Sequence, residues 1–258
     1  MNIFLIKLQC FLINLKGRVR GKQHLVYPED NGLYRISDTQ QSIYIARLNR
    51  HNRYKKGIAQ GVDMLAEEYS LNEIDTKPGD ILIECGANVG ELSVWAKSHS
   101  LVYMGFEPEE KEFCCVKLNA SKGAQVYRNA LWHEKKTLTI HSLPGSGDSS
   151  VFDMGDAEGK FEIEAVRLDE TIDLSDHSGT VILKVEAEGA EPEVLKGAIG
   201  LFDQIDYITV DCGPERGENQ DYTFVEINRT LTNHGFKLLQ AKFQRVTMLY
   251  YNTNRISL

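Results

Sequence analysis

Residues 81–91, ILIECGANVGE, constrain the fold more than any other stretch of this chain. Ile81, Leu82 and Ile83 form the short apolar run of a buried strand. Leu92, Val94, Trp95 and Ala96 open a helix, so the segment from Gly86 to Gly90 is a strand-to-helix turn. Glycines in such a turn let the backbone come close to a ligand and leave helix N–H groups aimed at it. The next apolar stretch, residues 102–106, predicts a neighbouring parallel strand that delivers Glu107 to its C-terminal end. An acidic side chain there can accept hydrogen bonds from both ribose hydroxyls of a nucleoside cofactor. A generic α/β turn followed by a solvated glutamate is the plainer alternative.

Spacing separates the cofactors. Gly86 and Gly90 read G-x-x-x-G, not the G-x-G-x-x-G that seats a pyrophosphate, and no Gly-Lys-Ser/Thr follows as a P-loop requires. A ligand without phosphate fits better. S-adenosylmethionine has the ribose and adenine but carries an amino acid tail and a sulfonium, and Glu84 places an acid near those positive groups. Further on, residues 180–198, TVILKVEAEGAEPEVLKGA, read as a second buried strand whose end carries Lys184, Glu186 and Glu188. A helix follows, opening near Glu191 and Pro192. Three charged groups at one strand end are costly beside a core unless they have a task.

These segments, together with FEPEE, Arg128-Asn129-Ala130-Leu131, Ser149-Ser150 and Arg167-Leu168-Asp169, resemble the FkbM family of S-adenosylmethionine-dependent methyltransferases over residues 79–250. The resemblance implies a class I methyltransferase fold and O-methylation of sugars or natural-product hydroxyls. Glu84 and Glu186 stand where that family more often has aspartate, so each carboxylate reaches one methylene further.

Length and composition fit one enzyme domain with an appendage: 258 residues, 42% hydrophobic. A net charge of -8 argues against general nucleic-acid binding. Five cysteines form no C-x-x-C pair, which points away from a zinc site or disulfide framework and toward a reducing cytoplasm. The expected division is an amphipathic helix with a basic tail over 1–22, a helical cap over 23–76 and the cofactor-binding domain over 77–258. Phe4, Leu5, Leu8, Phe11, Leu12 and Leu15 share one face of the first helix, followed by Lys16, Arg18, Arg20 and Lys22. Lys7 and Gln9 interrupt a run already too short to span a bilayer. Packing on the enzyme body, contact across a dimer and peripheral membrane binding all stay open. In the cap, Arg47, Arg50, His51, Arg53, Tyr54, Lys55 and Lys56 form a basic cluster that is either a solvated face or a holder of a phosphate or acidic glycan. Residues 143–159 read as a loop between two hairpin strands.

The expected sheet is mostly parallel, with strands near 81–85, 102–106, 125–128, 180–186 and 207–211. A last pair, 236–240 and 245–251, is joined too tightly to be parallel, so the seven-stranded Rossmann-like sheet ends on an antiparallel strand. Ligands bind at the C-terminal strand ends. There, Gly86, Asn88 and Gly90 are expected to shape the turn under the methionine portion, with Glu84 facing its ammonium. Glu107 is expected to hold the ribose, and Asn129 and Ala130 to flank adenine. Methyl transfer needs alignment and removal of the acceptor proton, for which Glu186, Glu188 and Asp211 are candidate bases and Lys184 an orienting group. Carboxylates so grouped could instead bind Mg²⁺ or Ca²⁺. His133, His141 and His234 read as ordinary loop or surface residues. An NAD(P)-dependent reductase and a non-catalytic binding protein on the same fold are the competing classes. The first lacks a Tyr-x-x-x-Lys pair, and the second would be expected to lose Glu107 or the acids.

Overall fold

The computed structural model describes residues 3–142, 149–152 and 159–256; most of the loop expected over 143–159 lies outside them. Helix α1 (Ile3–Val19) is followed by strands β1 (Leu25–Pro28), β2 (Tyr34–Ser37) and β3 (Ser42–Ile45), a 3-10 turn over Leu48–Tyr54 and helix α2 (Ile58–Glu68). Next come β4 (Ile81–Cys85), α3 (Glu91–Ser98), β5 (Val102–Phe106), α4 (Glu110–Asn119), β6 (Gln125–Tyr127), β7 (Ala130–Leu131), β8 (Lys136–Ser142), β9 (Gly159–Val166) and α5 (Leu168–Thr171). The chain closes with β10 (Val181–Val185), α6 (Glu191–Lys196), β11 (Tyr207–Asp211), β12 (Pro214–Arg216), β13 (Asp221–Tyr222), α7 (Phe224–Asn233), β14 (Phe236–Lys242) and β15 (Thr247–Asn252).

The cap differs from the helical expectation. Strands β1, β2 and β3 form an antiparallel meander ahead of the helical segments. Two short-range signals dictate it. Tyr34 and Ile36, then Ile43 and Ile45, alternate inward with a period of two. The turns are made by Asn31-Gly32, with Gly32 at φ 79°, and by Asp38, whose carboxylate accepts the Gln40 and Gln41 N–H groups.

The main sheet has the order β14-β15-β11-β10-β4-β5-β6. Strands β4, β5, β6, β10 and β11 are parallel, and β15 runs antiparallel to both its neighbours. Every residue of β4 and β10 is buried, as continuous apolar runs require when both faces are covered. Ile81 and Ile83 pack with Leu183 and with Val194, Leu195, Ile227 and Leu231 of α6 and α7. Leu82 and Ile182 face the other way, onto Leu65, Trp95 and the cap residues Ile36 and Tyr54. Each such fully buried aliphatic side chain stabilises by roughly 1.5–3 kcal/mol, so the cap is welded to the sheet through a shared core.

That alternation positions the chemistry. Glu84 and Lys184 follow Leu82 and Ile182 by two residues, so both project to the cap side, and the parallel register sets them beside each other. The expected hairpin is present: β8 pairs antiparallel with β9, and β7 lies parallel to β9. This small sheet has its own core of Trp132, Ile140, Ile163 and Ala165 and walls the C-terminal end of β4.

Candidate active site

The turn after β4 depends on backbone conformations that few side chains accept. Gly86 has φ 70°, Asn88 φ 48° and Gly90 φ 82°. A Cβ on Gly86 would sit 2.2 Å from the Glu186 carbonyl oxygen, so only glycine lets the end of β4 close on the end of β10. The turn then donates outward. The Asn88 N–H reaches Glu107 Oε2 at 2.7 Å, and the Glu109 N–H reaches Oε1 at 2.8 Å. Burial pushes the Glu107 carboxyl up to about 8, while these two donors pull toward the ionised form. Each oxygen retains capacity for a further donor.

Beside Glu107 lies a cavity of about 780 Å³, open to solvent, lined by Gly86, Asn88, Glu107, Asn129 and Ala130 among the expected residues, and by Glu186 and Glu188 at its far end. Trp132, Ile140 and Val151 supply an apolar wall, and Phe106, stacked on Tyr127 at 4.6 Å, lies against it. Two buried polar atoms of lining residues, Asn88 Oδ1 and Trp132 Nε1, have no hydrogen-bond partner among the described residues. An acceptor and a donor left unsatisfied at a cavity are what a polar ligand would complete. Asn129 donates to the Glu164 carbonyl at 3.1 Å. Gly90 caps α3 and stands outside this cavity, as does Glu84.

Glu84 belongs to a chain of charges crossing the strand ends. Tyr103 donates to its Oε2 at 2.5 Å, and Lys184 Nζ lies 3.4 Å from Oε1. Gly105 makes room for that tyrosine, since a Cβ there would meet the Tyr103 hydroxyl at 2.6 Å. Lys184 also donates to Glu186 at 2.8 Å and to the Gly86 carbonyl at 2.9 Å. Arg245, from the β14–β15 turn, binds the other Glu186 oxygen and reaches Asp211 Oδ2 at 2.6 Å. Burial pushes Glu84 up to about 7. It works the same way on Glu186, yet Lys184 and Arg245 overcome it and hold that carboxyl at about 2. Burial opposes the Lys184 charge too, but Glu186 and Glu84 keep its ammonium well above the ordinary range. Lys184 and Arg245 thus supply the positive charge that a divalent ion would bring to these acids. No cluster of three or more His, Cys, Asp or Glu suited to a metal occurs among the described residues.

A second cavity, about 1470 Å³, opens on the cap side and shares Gly86, Asn88, Glu186 and Glu188 with the first. Its floor is Glu84 and Lys184; Arg50, Arg53, Glu91, Glu215 and Arg245 line the rest. Asp211 lines neither cavity. Glu188 is left-handed at φ 48°, and its carbonyl accepts from Ser150 Oγ at 2.9 Å. Glu191 holds that turn by accepting the Ala187 N–H at 2.8 Å and the Gly189 N–H at 3.2 Å. Burial, reinforced by Asp211, Glu191 and Glu186, pushes the Glu215 carboxyl up to about 8.

The basic cluster of the cap divides. Arg47 pairs with Glu109 and Glu112, and His51 meets His24 at 3.1 Å. Arg50 and Arg53 alone line the second cavity, each 3.6 Å from the single Glu91 Oε1 that Tyr54 also bonds at 2.9 Å. Neither guanidinium has a side-chain hydrogen bond among the described residues. Glu215, in the short strand β12, and Arg245, in the β14–β15 turn, escape a reading by sequence because neither has a motif around it. Glu191 had a signal, an acid opening a helix just after a glycine turn.

The parallel sheet with its reversed strand β15, and a cavity over a glycine turn facing the acid that ends the second strand, define a class I methyltransferase fold. Residues 84–238 match the methyltransferase FkbM domain model, and the chain belongs to that family. No curated protein matches the chain. Among solved structures it is similar to magnesium protoporphyrin IX methyltransferase from Synechocystis PCC 6803 with bound S-adenosylhomocysteine, with 12% identity, 84% of this chain and 90% of that chain covered, and a TM-score of 0.44. It is also similar to an rRNA methylase from Streptococcus thermophilus (11% identity, 73% and 95% covered, TM-score 0.43). A third is a SAM-dependent methyltransferase from Aquifex aeolicus (14% identity, 71% and 87% covered, TM-score 0.41). At these identities the likenesses add nothing to the assignment, which rests on the family match and the strand order.

Proposed function

We propose that the chain is an S-adenosylmethionine-dependent O-methyltransferase acting on a hydroxyl of a sugar, glycan or natural product. The observation that carries this reading is the junction of the two cavities. They meet at Gly86, Asn88, Glu186 and Glu188, one side built by a backbone turn and the other by charged side chains. S-adenosylmethionine supplies a methyl group activated on a sulfonium. Glu107 is assigned to the ribose hydroxyls, Asn129 and Ala130 to the adenine edge with Trp132 and Ile140 as its apolar wall, and the unsatisfied Asn88 Oδ1 to the methionine ammonium. Glu84, which the sequence suggested for that ammonium, acts at one remove by fixing Lys184 under the turn.

The acceptor hydroxyl must lose its proton as the new C–O bond forms. A carboxylate held at about 2 by two cations is a weak base, so Glu186 is assigned to orientation together with Lys184 and Arg245. Asp211 anchors Arg245. The base is assigned to the acids of the second cavity, Glu188 at the junction and Glu215 opposite it. Glu215, pushed up to about 8, is matched to proton transfer near neutral pH. Arg50 and Arg53 offer forked donors to an anionic group on the acceptor, a phosphate or a carboxylate.

The test is transfer of labelled methyl from S-adenosylmethionine to a panel of nucleotide sugars, acidic sugars and hydroxylated natural products. A base-stable methyl ether is the expected product. Label found only on nitrogen, or as a base-labile ester, would overturn the O-methylation reading. Glu188→Ala is expected to leave S-adenosylhomocysteine binding intact and to lose turnover.

A further inference from the structure

Helix α1 is apolar on two faces, and only one is covered. At about 100° per residue, Cys10, Ile13 and Gly17 fall on the inner side, where Cys10 and Gly17 are buried and Ile6 and Ile13 pack on the cap core. Asn14 locks the seat, donating to the Val26 carbonyl and accepting the Val26 N–H, both at 2.8 Å. The opposite arc, spanning roughly 120°, holds Leu5, Leu8, Phe11, Leu12, Leu15 and Val19. Their exposure runs from 43% at Leu8 to 84% at Val19. Contiguous apolar surface of this kind on a folded domain marks a docking site. Lys7 and Arg18 flank the arc on one side and Lys16 on the other.

The charge around this helix is the reverse of the rest of the molecule. The first 28 residues contain five of the 29 Lys and Arg and none of the 37 Asp and Glu. At the C-terminal end of α1, a depression of about 680 Å³ is lined by Arg20, Lys22, Lys55 and Lys56. Among the described residues none of the four has an acidic group within 4 Å. Their mutual repulsion is felt nearby. Burial, then Lys55 and Arg20, draw the Lys22 ammonium below its usual range. Burial, Lys22, His24 and Lys55 hold His51 down at about 4. An anion in the depression would relieve this repulsion.

We infer that α1 and the basic depression at its end are an interfacial docking surface for an anionic phospholipid bilayer. The apolar arc enters the headgroup boundary, the flanking lysines and arginines stay at the surface, and lipid phosphates occupy the depression. The acidic remainder of the chain complements neither an anionic surface nor itself, so it sets the orientation by facing away. No helix among the described residues is long and apolar enough to cross a membrane, and an in-plane helix needs no such length. This inference stands independently of methyl transfer.

The test uses the full chain and vesicles of phosphatidylcholine alone or of equimolar phosphatidylcholine and phosphatidylglycerol. Sedimentation with the anionic vesicles only, weakened by salt, is expected. Arg20→Glu with Lys22→Glu should weaken it at least about tenfold. Leu8→Glu with Phe11→Glu should abolish it while leaving Tm and S-adenosylhomocysteine binding unchanged. Absence of sedimentation in the folded wild type would overturn the inference. So would a concentration-dependent dimer in ultracentrifugation that the Leu8/Phe11 variant disperses. Displacement from vesicles by inorganic phosphate at the lipid's concentration would reassign the depression to a free anion and contradict the bilayer reading.

Discussion

The two cavities that meet over β4 and β10 are built from different materials. The one beside Glu107 is shaped by main chain: a left-handed turn, two N–H donors on one carboxylate and a wall of small-sheet apolar side chains. The one under the cap is shaped by side chains, with Arg50, Arg53, Lys184 and Arg245 set among Glu84, Glu91, Glu186, Glu188 and Glu215. Main-chain geometry is a property of the fold and serves a ligand common to a whole family. Side-chain charge arrays can change without disturbing the sheet, which is how one fold takes many acceptors.

The contrast predicts separable failures. The largest effect is expected at Lys184, because its removal leaves Glu84 buried without a cation and Glu186 with Arg245 alone. Lys184→Met should cost about 3–5 kcal/mol in urea unfolding, whereas a cost near zero would mean the network is ornamental to the fold. The same network fixes a pH sign. Glu186 is depressed below its ordinary range, so its contribution to stability is present above about pH 4.5 and is lost as pH falls toward about 2. Acid unfolding of Glu186→Gln should accordingly show a shallower slope in that window.

Glu215→Gln comes next, with an expected loss in kcat of about 10²–10³ and unchanged S-adenosylhomocysteine affinity. In the parent protein, turnover should climb as pH rises through about 8, since the protonated carboxyl cannot accept the hydroxyl proton. Persistence of that rise in the variant would assign the base to another group. The smallest effect is expected for Arg50→Gln with Arg53→Gln, a rise in KM of roughly tenfold or more for anionic acceptors. Neutral acceptors should be little affected, and equal losses for both would remove the anion-binding role.

How much was legible follows the same division. The strand–turn–helix around Gly86, the acid at Glu107 and the reversed last strand could be read because each rests on local pattern: an apolar run, a glycine spacing, a link too short for a crossover. Lys184, Glu186 and Glu188 were found as charges ending a buried strand, but not the partners that set their roles. Arg245 comes from a turn 59 residues beyond Glu186, and only the β11–β15 pairing brings it to the site. Glu215 is raised first by burial and then by Asp211, Glu191 and Glu186, and neither its burial nor the approach of Glu186 and Glu191 is written in the sequence around it. The β-meander of the cap was legible in principle, since Asn31-Gly32 and the alternation at Tyr34 and Ile36 carry it. The basic residues that follow carry no such alternation.

The central claim is that the backbone-built cavity beside Glu107 holds S-adenosylmethionine. Calorimetric titration of the parent chain and of Glu107→Ala with S-adenosylhomocysteine, with NADH as the control ligand, tests it most directly. Binding of S-adenosylhomocysteine alone at micromolar concentration, lost in the folded variant, is the predicted result. Binding that survives Glu107→Ala undiminished, or a folded parent chain that takes up only NADH, would contradict it.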